Sequence, residues 1–165
     1  MPHVWRVINS FFGGEIPVRI TLSKRIPVVA LLVDEQDRRS LSRISGDESL
    51  DVHFAESCQD AAALAQKLTA PIILLDRDWP ESEWKSSAAS LASSRLGACI
   101  ILVSAQLDGS LWQELIRSGG YDVLAKPLRP EKVARIVKLA LSYWTSATRQ
   151  AVTARRARGV KLVRK

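Results

Sequence analysis

Between residues 28 and 149, short unbroken apolar runs alternate with longer stretches whose apolar residues recur at helical spacing. Strands buried on both faces need such unbroken runs, whereas covering helices need only one apolar stripe. The runs are Val28–Val33, Val52–Ala55, Pro71–Leu75, Ala98–Val103 and Tyr121–Ala125. Between them, helices are expected over about Asp37–Ile44, Cys58–Leu68, Glu81–Ser94, Gly109–Ser118 and Pro130 to about Arg149. The chain reads as β-α repeated five times. Right-handed crossovers then give an α/β fold with a doubly wound, five-stranded parallel sheet, whose chemistry belongs at the carboxyl ends of the strands.

Local signals agree with this layout. Asp108-Gly109-Ser110 can cap the fourth helix, and Gly119-Gly120 stops it because glycine accepts the left-handed conformation of a helix end. Pro130 suits a first helical turn, and Val133, Ile136, Val137, Ala140, Leu141 and Trp144 form a core-facing stripe behind it.

A length of 165 residues fits one domain with short extensions: residues 1–25, a domain over 26–148, and a basic tail over 149–165. The net charge of +7 is uneven, because residues 149–165 carry seven basic residues and no acid while residues 26–148 sum to −3. The domain itself is therefore mildly acidic, which weakens any reading of it as a nucleic-acid binder. Cys58 and Cys99 make no CxxC pair, so neither a disulfide framework nor a zinc site is indicated. No apolar run approaches a membrane span and the N-terminus lacks a signal peptide's apolar stretch, so a cytoplasmic protein is expected.

Five polar residues follow the apolar runs: Asp34 and Glu35 after the first, Asp76 after the third, Ser104 after the fourth and Lys126 after the fifth. In a doubly wound sheet they would share one pocket. Three clustered carboxylates resist ionisation together unless a cation neutralises them, which suits a hard divalent ion, with magnesium the natural candidate. A carboxylate can attack phosphorus to give an acyl phosphate, while a lysine and a hydroxyl stabilise the charge that spreads over the phosphoryl oxygens. Lys126 and Ser104 fit those parts.

The segments VDEQDRRSL, IILLDRDWP, ILVSAQ and LAKPL resemble, in order and spacing, the signatures of bacterial response-regulator receiver domains over residues 27–145. The resemblance implies a flavodoxin-like three-layer α/β/α fold with strand order 2-1-3-4-5. It also implies that Asp34 and Glu35 hold magnesium with Asp76 and the backbone carbonyl of Asp78, that Asp76 accepts phosphate, that Ser104 follows it and that Lys126 pairs with it. Lys126-Pro127 matches the family's commonly cis step, which proline makes accessible at about 0.5–1 kcal/mol over trans.

Two features depart from the family. Val123 stands where a switching Tyr or Phe is usual, and Tyr121, two residues earlier, is expected on the same strand face. Trp79-Pro80 follows the acceptor, with Trp79 read as a partly buried lid, while Trp112 is either a core anchor or an interface residue. His53 and His3 show no phospho-accepting context.

The expected function is that of a stand-alone, chemotaxis-type response regulator and not an enzyme. A sensor histidine kinase or phosphotransfer protein would phosphorylate Asp76, and the change would alter contacts of the fourth helix, fifth strand and fifth helix with a downstream protein or a second copy of the chain. The competing readings are a pseudo-receiver that only binds partners, and nucleic-acid contact through residues 149–165. That tail is expected to be frayed and solvated, although it could instead prolong the fifth helix.

Overall fold

The computed structural model describes residues 25–161 apart from 48, 81–82 and 95–96, so the expected N-terminal extension and His3 lie outside the described residues. The five strands are β1 (Ile26–Leu31), β2 (Leu50–Phe54), β3 (Ile72–Asp76), β4 (Cys99–Ser104) and β5 (Asp122–Ala125). They alternate with α1 (Glu35–Asp47), α2 (Cys58–Leu68), α3 (Trp84–Ala92), α4 (Leu111–Arg117) and α5 (Pro130–Lys161). The sheet order is β2-β1-β3-β4-β5 with every pair parallel, as expected.

Strand alternation divides the core into two layers. Val28, Ala30, Leu32, Ile72, Leu74, Ile101, Val103 and Leu124 pack on one face with Leu41 and Ile44 of α1 and Val133, Ile136, Val137 and Ala140 of α5. Val29, Leu31, Ile73, Leu75, Ile100 and Leu102 pack on the other with Ala61 and Ala65 of α2, Trp84, Ala88 and Leu91 of α3, and Leu111 and Leu115 of α4. The central strands β3 and β4 are buried throughout, which is why they read as unbroken apolar runs.

Where boundaries differ from expectation, pairing explains it. β1 starts at Ile26, two residues early, because Ile26 and Pro27 pair with Leu50 and Asp51 of β2, while pairing with β3 begins only at Val28. Pro27 therefore lies at an effectively one-sided position, where its missing N–H is tolerated. The strand also ends two residues early, at Leu31.

Asp108 caps α4 as expected, its Oδ1 accepting from Leu111 N at 2.8 Å and Ser110 N at 3.1 Å. At the other end, Gly119 has φ 83°, and its N–H donates to Ile116 O at 3.0 Å while that of Gly120 donates to Leu115 O at 2.9 Å, the paired bonds of a Schellman motif. α5 runs on to Lys161 instead of stopping near Arg149, so residues 149–161 are helical and not a frayed tail. The segment from Arg149 to Arg158 is rich in Ala and Arg, which are good helix formers, and glycine enters only at Gly159.

Candidate functional site

Asp76 is the last residue of β3 and is 0% exposed. Its Oδ2 accepts from Lys126 Nζ at 2.8 Å and Val33 N at 3.2 Å, and its Oδ1 accepts from Asp78 N at 3.1 Å. Lys126 is delivered by the end of β5, where its N–H donates to Ser104 O at 2.9 Å, and it precedes the cis bond to Pro127. The same ammonium lies 2.9 Å from Asp37 Oδ2, on the third residue of α1. Asp37 is buried too, at 8% exposure. Burial pulls the Lys126 pKa down, but its bonds to Asp76 and Asp37 outweigh this and hold the ammonium above its ordinary range.

Ser104, 2% exposed, ends β4 one residue beyond Val103, the partner of Asp76 in the sheet register. Its hydroxyl is held in its own turn, donating to Gln106 O at 2.7 Å and accepting from Gln106 N at 3.1 Å. Arg77 ties this turn to the one after β3, donating to Gln106 O at 3.3 Å and lying 3.7 Å from Asp108 Oδ2.

Of the predicted residues, then, the fold brings Asp76 and Lys126 into contact and Ser104 to the same end of the sheet. It does not bring Asp34 and Glu35 to the acceptor. Asp34 is exposed and serves as the cap of α1, its Oδ1 accepting from Gln36 N at 2.8 Å. Glu35 is exposed in the first turn, 3.3 Å from Arg39 on its own helix. Because β1 ends at Leu31, both acids stand beyond the strand edge. Asp78 has an exposed side chain and reaches the acceptor through its amide N–H.

Asp37 is the site residue that its sequence context disguises. It stands at a helix start, where acids are common as surface residues. The available signal was its spacing: Asp37, Leu41 and Ile44 follow i, i+4, i+7, so the acid heads the buried stripe of α1 and requires a partner there.

This disposition does not fit the magnesium centre expected from Asp34, Glu35 and Asp76. The carboxylates that meet are Asp37 and Asp76, and they meet on an ammonium. Among the described residues, no three His, Cys, Asp or Glu side chains gather to hold a metal.

Two aromatic expectations also resolve. Tyr121 precedes β5 and packs with the α1–α5 layer, its ring 5.2 Å from that of Tyr143, whereas Val123 packs with the α2–α4 layer. They occupy opposite faces, because period-two alternation does not extend to a residue outside the strand. Trp79 is half-buried against the α2–α4 layer, and its N–H donates to Asp76 O at 3.1 Å, while Trp112 is 54% exposed and so no core anchor.

No family model matches the chain. Among solved structures, it superimposes on the chemotaxis protein CheY4 of Vibrio cholerae with a TM-score of 0.64 at 20% identity, covering 70% of this chain and 98% of that one. A two-component response regulator from Clostridium difficile aligns with a TM-score of 0.63 at 17% identity, over 72% and 97% of the two chains. In sequence, the transcriptional regulatory protein SrrA of Staphylococcus aureus is 32% identical over 120 residues, which is 72% of this chain and 49% of SrrA. This is a response-regulator receiver fold. The chain spans about half the length of the curated relatives it matches. Within that fold, Asp76 at the end of β3 meets Lys126 at the end of β5, and Asp37 of α1 meets the same ammonium. None of its described helices is long and apolar enough to cross a membrane.

Proposed function

We propose that this receiver works in two-component signalling in the cytoplasm, taking a phosphoryl group on Asp76 from a sensor histidine kinase or phosphotransfer protein. The observation that carries the reading is the Asp76 carboxylate at the carboxyl end of β3 with Lys126 Nζ 2.8 Å away. In the transfer, an Asp76 oxygen bonds to phosphorus as the P–N bond of phosphohistidine breaks. The leaving imidazole keeps the electron pair and takes its proton from solvent. Lys126 meets the charge on the phosphoryl oxygens, and Ser104 supplies a hydroxyl from the adjacent strand end. The protein is modified and does not turn over a small substrate, so the reading is not an enzymatic one.

Phosphorylation adds about −1.5 to −2 charge next to Lys126. That change is read out on the α4–β5–α5 surface, where Trp112 and Ile116 of α4 and Leu139 and Tyr143 of α5 are exposed apolar side chains suited to a downstream protein.

Intact mass after incubation with acetyl phosphate or phosphorylated kinase tests the proposal: the expected product is one base-labile phosphate adduct, absent in Asp76→Ala. One observation favours a second reading. Asp76 is 0% exposed, so a donor reaches it only after its surroundings open. If no adduct forms with either donor, the chain is a pseudo-receiver that binds partners in one fixed state.

A further inference from the structure

The acceptor site contains its own cation. Lys126 Nζ lies 2.8 Å from Asp76 Oδ2 and 2.9 Å from Asp37 Oδ2, so it occupies the space between two carboxylate oxygens. A divalent ion shared by the same two oxygens would bind within about 2.1 Å of each if it were magnesium, and would therefore need that same space. Further positive potential comes from Val33 N and Asp78 N on Asp76. Asp37 has the N-terminal end of the 13-residue α1 behind it, where the helix dipole favours an anion. Between them, the ammonium, the amides and the helix end neutralise both buried carboxylates. Asp34 and Glu35 are exposed at the start of α1, where Asp34 Oδ1 accepts from Gln36 N and Glu35 Oε1 lies 3.3 Å from Arg39.

We infer that Lys126, anchored by Asp37, is the built-in counter-cation of this site, filling the place between Asp37 and Asp76 that a divalent ion would take. The receiver therefore binds magnesium-like ions tightly only in the absence of that ammonium. Asp37 is a positioning residue: it acts on the acceptor through Lys126. The inference deepens the reading of Asp76 as the acceptor, but it is tested with no phosphoryl donor present, so failure of phosphorylation and failure of the counter-cation idea are separate results.

The probe is Mn²⁺, followed by loss of its free-ion paramagnetic resonance signal on titration of the full chain. Wild-type protein is expected to show no saturable binding up to about 10 mM, a concentration above that needed to fill ordinary protein sites for divalent ions. Lys126→Met, which keeps the side-chain length and removes the charge, is expected to bind at least about tenfold more tightly, because a like charge has left the ion's position. Adding Asp37→Asn to that variant should reverse the gain, whereas adding Asp34→Asn should not. Circular dichroism checks each fold, and Lys126→Gln replaces Lys126→Met if the latter fails to fold. Saturable binding by the wild type below about 10 mM overturns the inference whatever the variants do, and so does a folded Lys126 variant that binds no better than wild type.

Discussion

At the residue scale, the Asp76 end of the sheet is defined by which acids are engaged and with what. Asp34 was legible as an acid beside a strand end, but not as a cap, because that depended on β1 stopping at Leu31. The cap assignment makes a prediction. Asp34→Ala should cost about 1 kcal/mol in urea unfolding, through loss of the bond to Gln36 N, and should leave phosphoryl acceptance at Asp76 intact. A loss of acceptance with no change in stability would return Asp34 to the acceptor site. Asp76 and Lys126 were legible because each ends an apolar run, and the parallel sheet brings all such ends to one edge. Asp37 was not, since only its place on the α1 stripe marked it.

Cys99 is a second residue whose behaviour follows from burial. It is buried in β4 with Sγ 3.5 Å from Ala140 O, and desolvation pushes its thiol up to about 11 from an ordinary 9.0. A raised folded-state value favours the protonated form, so the stability this thiol contributes is complete below pH 9 and is lost as pH rises from there through about 11. At pH 8 a thiol reagent should therefore modify half-buried Cys58 first and leave Cys99 untouched until the protein unfolds. Equal rates for the two cysteines in native protein would contradict this packing.

At the element scale, all five strands and five helices were legible, because period and turn chemistry pointed to the same answer at each. Their ends were less so, for reasons that lie in pairing. Pro27 joined β1 because only β2 flanks it, and Tyr121 escaped the face of Val123 because β5 begins after it. The Gly119-Gly120 stop was read correctly for its conformation, but the structure adds a packing reason at Gly120. A Cβ there would collide with Leu115 Cδ1 and lie 3.2 Å from Leu115 O, and the first contact can be relieved only by displacing a buried core side chain. Gly120→Ala is accordingly expected to destabilise the fold by about 1–3 kcal/mol. Gly109→Ala, with nothing within 4 Å of its added methyl, should be near neutral. Chemical denaturation of the two variants side by side checks the claim, and equal stabilities would show that the α4 terminus relaxes freely.

At the scale of the whole molecule, charge and packing separate along α5. Among the described residues, the last one of α5 packed on the core is Trp144, yet the helix continues to Lys161, and the seven basic residues of 149–165 all follow Trp144 in the chain. Helix formation here comes from local propensity and from continuity with a packed N-terminal half, because an isolated helix of this length would be marginal in water. Removing residues 149–165 should therefore change the unfolding free energy of the domain by no more than about 0.5 kcal/mol. The same truncation takes the chain from a net charge of +7 to zero, so any attraction to a polyanion such as heparin or DNA should vanish with it. Urea unfolding and heparin retention, measured on the full chain and the truncated one, separate the two roles. A loss of stability above about 1 kcal/mol would mean that the basic arm folds back onto the acidic domain instead of leading away from it. Retention that survives truncation would place the polyanion contact within residues 1–148, where residues 1–25 carry a net +3 against −3 for residues 26–148.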